Sequence, residues 1–222
     1  MKRLVSILLL TALMIFSLVS CGNEEKIDLK GINFETEGNE RTLEKYNTQN
    51  PVAALYVKDY GVIVVELYPD IAPNTVNNFI SLIKKGFYDN NSIHRMMPGF
   101  VIQGGDPKGN GTGGPGYSIA GEFSKNGVDN DLKHTKGVIS MARADDYDSA
   151  GSQFFIMLGN KPDLDGKYAA FGKVIDGYEV CEEIEKIKEY DSYFGKLATN
   201  ITIVKAVVDT KGKNYPEPEI IK

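Results

Sequence analysis

The chain is 222 residues long and carries 30 acidic against 25 basic side chains, a formal charge of −5 at pH 7. That balance, without a cluster of Lys or Arg, argues against nucleic acid or anionic lipid as a charge-driven partner. The length suits one domain plus a tether.

At the start, Lys2 and Arg3 precede an uncharged, mostly apolar run over residues 4–19, which meets Leu18-Val19-Ser20-Cys21. This is the anatomy of a secretory signal peptide, and its last four residues look like a bacterial lipobox. Residues 1–20 are therefore predicted to be a signal peptide cleaved before Cys21, whose thiol then carries lipid at the new N-terminus. An ordinary cleaved signal and an uncleaved anchor are the alternatives, although the run falls short of the roughly 20 residues a spanning helix needs. One acyl chain anchors only marginally, and lipoproteins of this type are expected to carry at least two. On this reading the protein is extracytoplasmic and lipid-anchored to the bacterial cell membrane. Cys181 is then the one cysteine of the folded part. No internal disulfide can form even where the compartment would permit one, and Cys181 is expected as a small buried helix residue.

Residues 21–50 are polar, with Glu24, Glu25, Glu35, Glu37, Glu40 and Glu44 and few apolar anchors, which predicts a lipidated N-terminus followed by a flexible stalk. Residues 51–222 form the predicted folded domain. Apolar, β-branched runs at 53–57 and 62–67 flank Lys58-Asp59-Tyr60-Gly61 and read as a hairpin. Pro73 and Asn74 open a helix whose Val76, Phe79, Ile80 and Ile83 recur at helical spacing. Lys84 and Lys85 lie in its last turn and Gly86 stops it. Short strands then alternate with Gly-rich turns through Asp165-Gly166, a hairpin-type dipeptide, to a strand over 169–174. A second helix over 178–188 places Val180, Ile184 and Ile187 on one face, and a last strand covers 201–208. Many strands with two isolated helices predict a mainly β fold, a closed antiparallel barrel.

The most informative stretch is residues 93–114, Ile-His-Arg-Met-Met-Pro-Gly-Phe-Val-Ile-Gln-Gly-Gly-Asp-Pro-Lys-Gly-Asn-Gly-Thr-Gly-Gly, echoed by Gly151-Ser-Gln-Phe-Phe-Ile156. In an extended 100–103, Val101 and Gln103 share one face and Phe100 and Ile102 the other, so one strand serves both a core and a groove. These residues resemble the signature of the cyclophilins, peptidyl-prolyl cis/trans isomerases, over about residues 52–208. The resemblance implies an eight-stranded closed antiparallel barrel capped by two α-helices, and a reaction that needs no nucleophile, metal or cofactor. Rotation about an X-Pro bond must break amide resonance, at a barrier of about 18–20 kcal/mol. A rigid, always-charged guanidinium aimed at the proline nitrogen as its lone pair localises stabilises that transition state. By resemblance Arg95 is the donor, Gln103 hydrogen-bonds substrate and helps hold Arg95, and Phe100, Val101, Phe155, Leu164 and Tyr168 form the proline pocket. Ala142, Arg143, Gly111 and Gln153 line the groove for the flanking peptide. Phe154, next to Phe155 on a strand, faces the opposite way and belongs to the core.

The chain departs from the family pattern at three places. Asp163 stands two positions before Asp165-Gly166, where many cyclophilins carry Trp, and the chain has no Trp at all. Tyr168 replaces a common His, and Arg143 a common Asn. Activity is expected to survive with altered substrate preference, the residue beside Ala142 binding largely through backbone. The Gly109-Asn-Gly-Thr-Gly-Gly114 segment lacks the ending of a phosphate-binding P-loop and reads as a loop beside the groove. His94 and His134 have no partner at metal-ligand spacing, and Asp145, Asp146 and Asp148 sit in no calcium-loop pattern, so no metal site is predicted. The expected function is a monomeric isomerase that assists exported proteins through their proline-containing segments. A non-catalytic proline-peptide-binding chaperone or adhesive surface lipoprotein is the alternative, but pure binding has no need of the Arg95 donor.

Overall fold

Residues 43–221 are described by a computed structural model. The predicted signal peptide, Cys21 and the stalk to residue 42 lie outside the described residues. Strand β1 (Val52–Val57) pairs antiparallel with β2 (Gly61–Leu67), as the two apolar runs predict. Asp59 at φ 66° and Gly61 at φ 133° make the turn. Helix α1 (Pro73–Lys84) follows, with Val76, Phe79, Ile80 and Ile83 buried. It has no side-chain cap of its own. Instead Glu122, distant in sequence, accepts the backbone N–H of Asn74 at 2.9 Å and of Thr75 at 2.6 Å, which satisfies orphan donors and sets a carboxylate against the positive end of the helix.

Strands β3 (Asn91–Met97), β4 (Val101–Gly104), β5 (Val138–Met141), β6 (Phe154–Met157) and β7 (Ala170–Asp176) follow, then helix α2 (Tyr178–Glu185) and strand β8 (Lys196–Asp209). The eight strands close into a barrel in the order β1-β2-β7-β5-β6-β4-β3-β8, and every neighbouring pair is antiparallel. Closure removes the free edges of the sheet. Phe79 of α1 drops its ring among Tyr88, Phe154 and Phe171 at centroid distances of 5.1, 5.6 and 5.2 Å, so α1 plugs the barrel with interlocked aromatics. On α2, Val180, Cys181 and Ile184 are buried. Burial pushes the Cys181 thiol up to about 12, which makes it an inert packing residue as expected.

The structure departs from the sequence reading in four places. Helix α2 stops at Glu185, and Ile187 packs half-buried beyond its end. Strand β8 begins at Lys196 rather than 201, because its first half is mostly exposed and polar and has no apolar alternation to reveal it. There it pairs with β3, Arg95 opposite Lys196 and Ile93 opposite Ile201, across a bulge. Asp165-Gly166 turns no hairpin: β6 pairs with β4 and β5, while β7 pairs with β2 and β5. Finally, residues 43–50, the expected end of the stalk, pack on the barrel. Leu43 is only 2% exposed, against Val52, Ala54, Tyr56, Val64 and Val207, and Asn50 Nδ2 donates to Glu66 Oε1 at 3.1 Å.

Candidate active site

Register brings the candidate residues together. Arg95 on β3 lies opposite Gln103 on β4, and Gln103 lies opposite Phe155 on β6. The strand pleat sends Phe154 into the barrel interior with Phe79 and Tyr88 and Phe155 to the outer face. There Val101, Val138, Phe155, Met157 and Ala170 form a separate buried apolar cluster, rimmed by half-buried Phe100, Leu132, Ala142, Leu164 and Tyr168. All five predicted pocket residues are in this group. Phe100 breaks the expected alternation: it precedes β4 in a turn where its N–H donates to the Met97 carbonyl at 3.0 Å, and its ring joins the same face as Val101, 5.7 Å from the Arg95 guanidinium.

The floor is fixed from behind. Tyr168 meets the Phe155 ring edge-on at 5.7 Å, and His134 stacks on it at 6.1 Å. His134 is 2% exposed, with Nδ1 3.0 Å from Asp165 Oδ1 and Nε2 3.1 Å from Ser140 Oγ. Burial lowers its pKa more than Asp165 raises it, so the ring is neutral at pH 7. Burial opposes ionisation of Asp165, but donation from the His134 backbone and ring, with Lys133 nearby, outweighs it and holds that carboxyl below its usual range. A carboxylate can only accept, so Nδ1 carries the proton and Nε2 accepts from the Ser140 hydroxyl. His134, Asp165 and Ser140 brace the pocket from behind, whereas the sequence reading considers His134 only as a metal ligand without a partner.

The polar side is a relay. Arg95 Nη1 donates to Gln103 Oε1 at 3.0 Å and Nε to the Phe194 carbonyl at 2.7 Å. Gln103 Nε2 donates to Gln153 Oε1 at 2.9 Å, and Gln153 Nε2 to the carbonyls of Gly111 and Gly113 at 3.1 and 2.9 Å. Burial lowers the Arg95 pKa, yet a guanidinium starts so high that it stays a cation. The glycine loop is held by Asp106, which the sequence reading missed. Its carboxylate accepts the N–H groups of Lys108, Asn110 and Gly111 at 2.7, 2.9 and 2.6 Å. Burial resists its ionisation, but these backbone donors and that of Gly113 outweigh it and hold it below the usual carboxylate range. An Asp followed by Pro, Lys and Gly is the signal of such a side-chain-capped turn.

The Arg143 side chain is fixed beside the pocket. Its Nη2 donates to the Lys167 carbonyl at 2.9 Å, and the guanidinium lies 4.8 Å from the Tyr147 ring and 4.6 Å from that of Tyr168, a cation–π wall beside the pocket. Asp163 is exposed on the short turn that carries Leu164. Asp148 Oδ1 accepts the Gly121 N–H and Asn126 Nδ2 at 2.9 and 2.8 Å, which makes it a loop brace. Among the described residues no three His, Cys, Asp or Glu side chains group to hold a metal. The arrangement can seat a small apolar ring, grip an extended backbone through amides, and offer a cationic donor at the lip.

Residues 52–215 match the family described as cyclophilin type peptidyl-prolyl cis-trans isomerase/CLD. A peptidyl-prolyl cis-trans isomerase of Schizosaccharomyces pombe is 44% identical over 148 residues, covering 66% of this chain and 92% of the yeast protein. Isomerase B of Bacillus subtilis is 47% identical over 128 residues, covering 58% and 86% respectively. A crystal structure of a Cryptosporidium parvum cyclophilin in the presence of the dipeptide Ala-Pro superposes with a TM-score of 0.64 at 34% identity, over 71% of this chain and 98% of that one.

Proposed function

This chain belongs to the cyclophilin family and is a peptidyl-prolyl cis/trans isomerase, and we propose that it serves proteins folding outside the cytoplasmic membrane of a bacterium. The observation that carries the activity is the Arg95–Gln103 pair, bonded at 3.0 Å, at the lip of the Phe155 pocket. The proline ring of the substrate seats on Phe155 and Val101, walled by Phe100, Leu164 and Tyr168, while Gln103, with one Nε2 hydrogen still uncommitted, bonds the adjoining backbone and Gln153 lines the groove. Arg95 then donates toward the proline nitrogen as resonance breaks, where a charged donor lowers the barrier more than it stabilises the planar ground state. No bond is made or broken, so the site needs only positioning and charge. The relative crystallised with Ala-Pro supports a proline-containing ligand.

The location rests on Lys2 and Arg3, the apolar run at 4–19 and Leu18-Val19-Ser20-Cys21, which read as a leader ending in a lipid-accepting cysteine. The enzyme works there as a monomer, its barrel offering no free sheet edge to a second copy. The test has two arms. A protease-free isomerisation assay on an X-Pro peptide should show acceleration by the wild-type chain. Cys21→Ser should abolish lipid labelling and membrane retention while isomerisation continues. Equal membrane association of the variant, or native protein in the medium with an unmodified Cys21, would refute the anchor.

A further inference from the structure

We propose that Tyr193 and Phe194 form an aromatic subsite for an apolar side chain of the substrate, on the far side of Arg95 from Gln153 and Gly111. This deepens the isomerase reading and rests on it. Between α2 and β8 the chain folds into a tight loop. Asp191 N–H donates to the Lys196 carbonyl at 2.8 Å and Gly195 N–H to the Asp191 carbonyl at 2.7 Å. The Asp191 carboxylate accepts the N–H groups of Tyr193 and Phe194 at 3.0 and 2.7 Å. The loop is thus ordered from within, yet its two aromatic side chains are 79% and 67% exposed. They are the most exposed large apolar side chains among the described residues, and they meet edge-on at 4.6 Å. Fixing two rings side by side in water contributes nothing to the core, and it leaves a preformed apolar surface of ring faces and edges open to a ligand.

The loop is locked to the strand that bears the donor. The Phe194 carbonyl accepts Arg95 Nε at 2.7 Å, and Met96 N–H donates to the Gly195 carbonyl at 2.8 Å. A Cβ at Gly195 would stand 2.4 Å from Met97 Cγ and 2.6 Å from the Met96 carbonyl, so the close approach requires glycine there. The Arg95 guanidinium therefore sits between two surfaces: Nη1 leads through Gln103 and Gln153 to the glycine loop, and Nε holds the backbone of the loop that carries the Tyr193–Phe194 pair. An extended peptide advances about 3.3 Å per residue. With its proline beside Arg95, a side chain within a few residues of the proline reaches the rings. Apolar and aromatic groups fit, because the surface offers ring faces and edges.

The test compares kcat/KM of the full chain on blocked peptides with a central Ala-Pro, carrying Phe or Ala at each of the three positions on either side. Phe should be preferred about tenfold, or about 1.4 kcal/mol, at positions on one side of the proline only. The ratio should fall to about one in Tyr193→Ser/Phe194→Ser and persist in Tyr193→Phe. Because selectivity is a ratio, it survives any general change in rate, and a thermal melt confirms folding. Isomerisation without one-sided preference, or preference unchanged in the double serine variant, overturns the subsite alone. No isomerisation of any peptide by wild type overturns the isomerase reading instead. If the double variant keeps its selectivity but loses binding to phosphatidylcholine vesicles, the rings serve a membrane and the subsite is refuted.

Discussion

Arg95→Ala should leave the barrel folded and slow isomerisation by on the order of 10 to 100 fold. A guanidinium has five N–H groups. Three are committed, to the Phe194 carbonyl, Gln103 Oε1 and Met97 Sδ, which leaves one on each terminal nitrogen for substrate and holds the fork rigid. A hydrogen bond to a charged group contributes roughly 1.5–3 kcal/mol, and each 1.36 kcal/mol is about tenfold in rate. Peptide affinity should change less, since the bond to the proline nitrogen strengthens only as the lone pair localises. The fold should lose on the order of 1 kcal/mol, because the site is half-exposed and water can replace Arg95 at its partners. Arg95→Lys should rescue poorly: a point charge cannot serve Gln103, Phe194 and substrate together as a planar fork does. Exchange NMR on an X-Pro peptide gives the rate, and calorimetric titration gives the affinity. Full rate in Arg95→Ala, with the rate lost in Phe155→Ala, would show that apolar capture alone drives the reaction and refute the role of Arg95.

Gly113→Ala should raise KM with little change in kcat, because its Cβ would stand 1.9 Å from Asp106 Oδ1 and displace the carboxylate that shapes the loop under Gln153; an unchanged KM contradicts this. Burial lowers the pKa of both His94 and His134 in the folded protein, so protons bind the unfolded chain preferentially. Their contribution to stability is complete above about pH 6.5 and is lost as pH falls toward the folded values, at no more than about 1.4 kcal/mol per pH unit for each. Urea midpoints at neutral and mildly acidic pH should show this, with a weaker dependence in His134→Gln. Cyclosporin should inhibit weakly, since Asp163 offers an exposed charge where Trp-bearing cyclophilins pack an indole on the drug. Asp163→Trp should tighten inhibition, and low-nanomolar inhibition of the unaltered chain would show that the indole is dispensable.

The sequence revealed most where local pattern and chemistry agree. Helix α1 was legible because Val76, Phe79, Ile80 and Ile83 share one face that is also the face the barrel needs. The first hairpin was legible because its strands are apolar on both sides of a short polar turn. The early half of β8 was not, since a strand made from exposed polar residues carries no period to read, and the α2–β8 loop was hidden for the same reason. Asp165-Gly166 misled because a turn dipeptide specifies a local bend and not what its flanks pair with. Here the aspartate turns inward to His134 across a long sequence gap, a contact only the closed barrel creates.

The site itself was legible from motif residues, but the reason they work together is a matter of register. Phe154 and Phe155 are the same residue type in adjacent positions, and composition cannot tell core from pocket. Pairing β6 with β4 opposite Gln103, and β4 with β3 opposite Arg95, assigns Phe155 to the outer face and Phe154 to the interior. A one-residue slip of β6 would exchange the two rings, just as a slip of β4 would carry Gln103 away from Arg95. The interior aromatics around Phe79 oppose that slip, because only Phe154, on the inner face, meets Phe79 and Tyr88 edge-on. Core packing therefore sets the geometry of the outer face. Substitutions in the Phe79 cluster should impair catalysis through the fold, whereas substitutions at Arg95 should impair it without the fold.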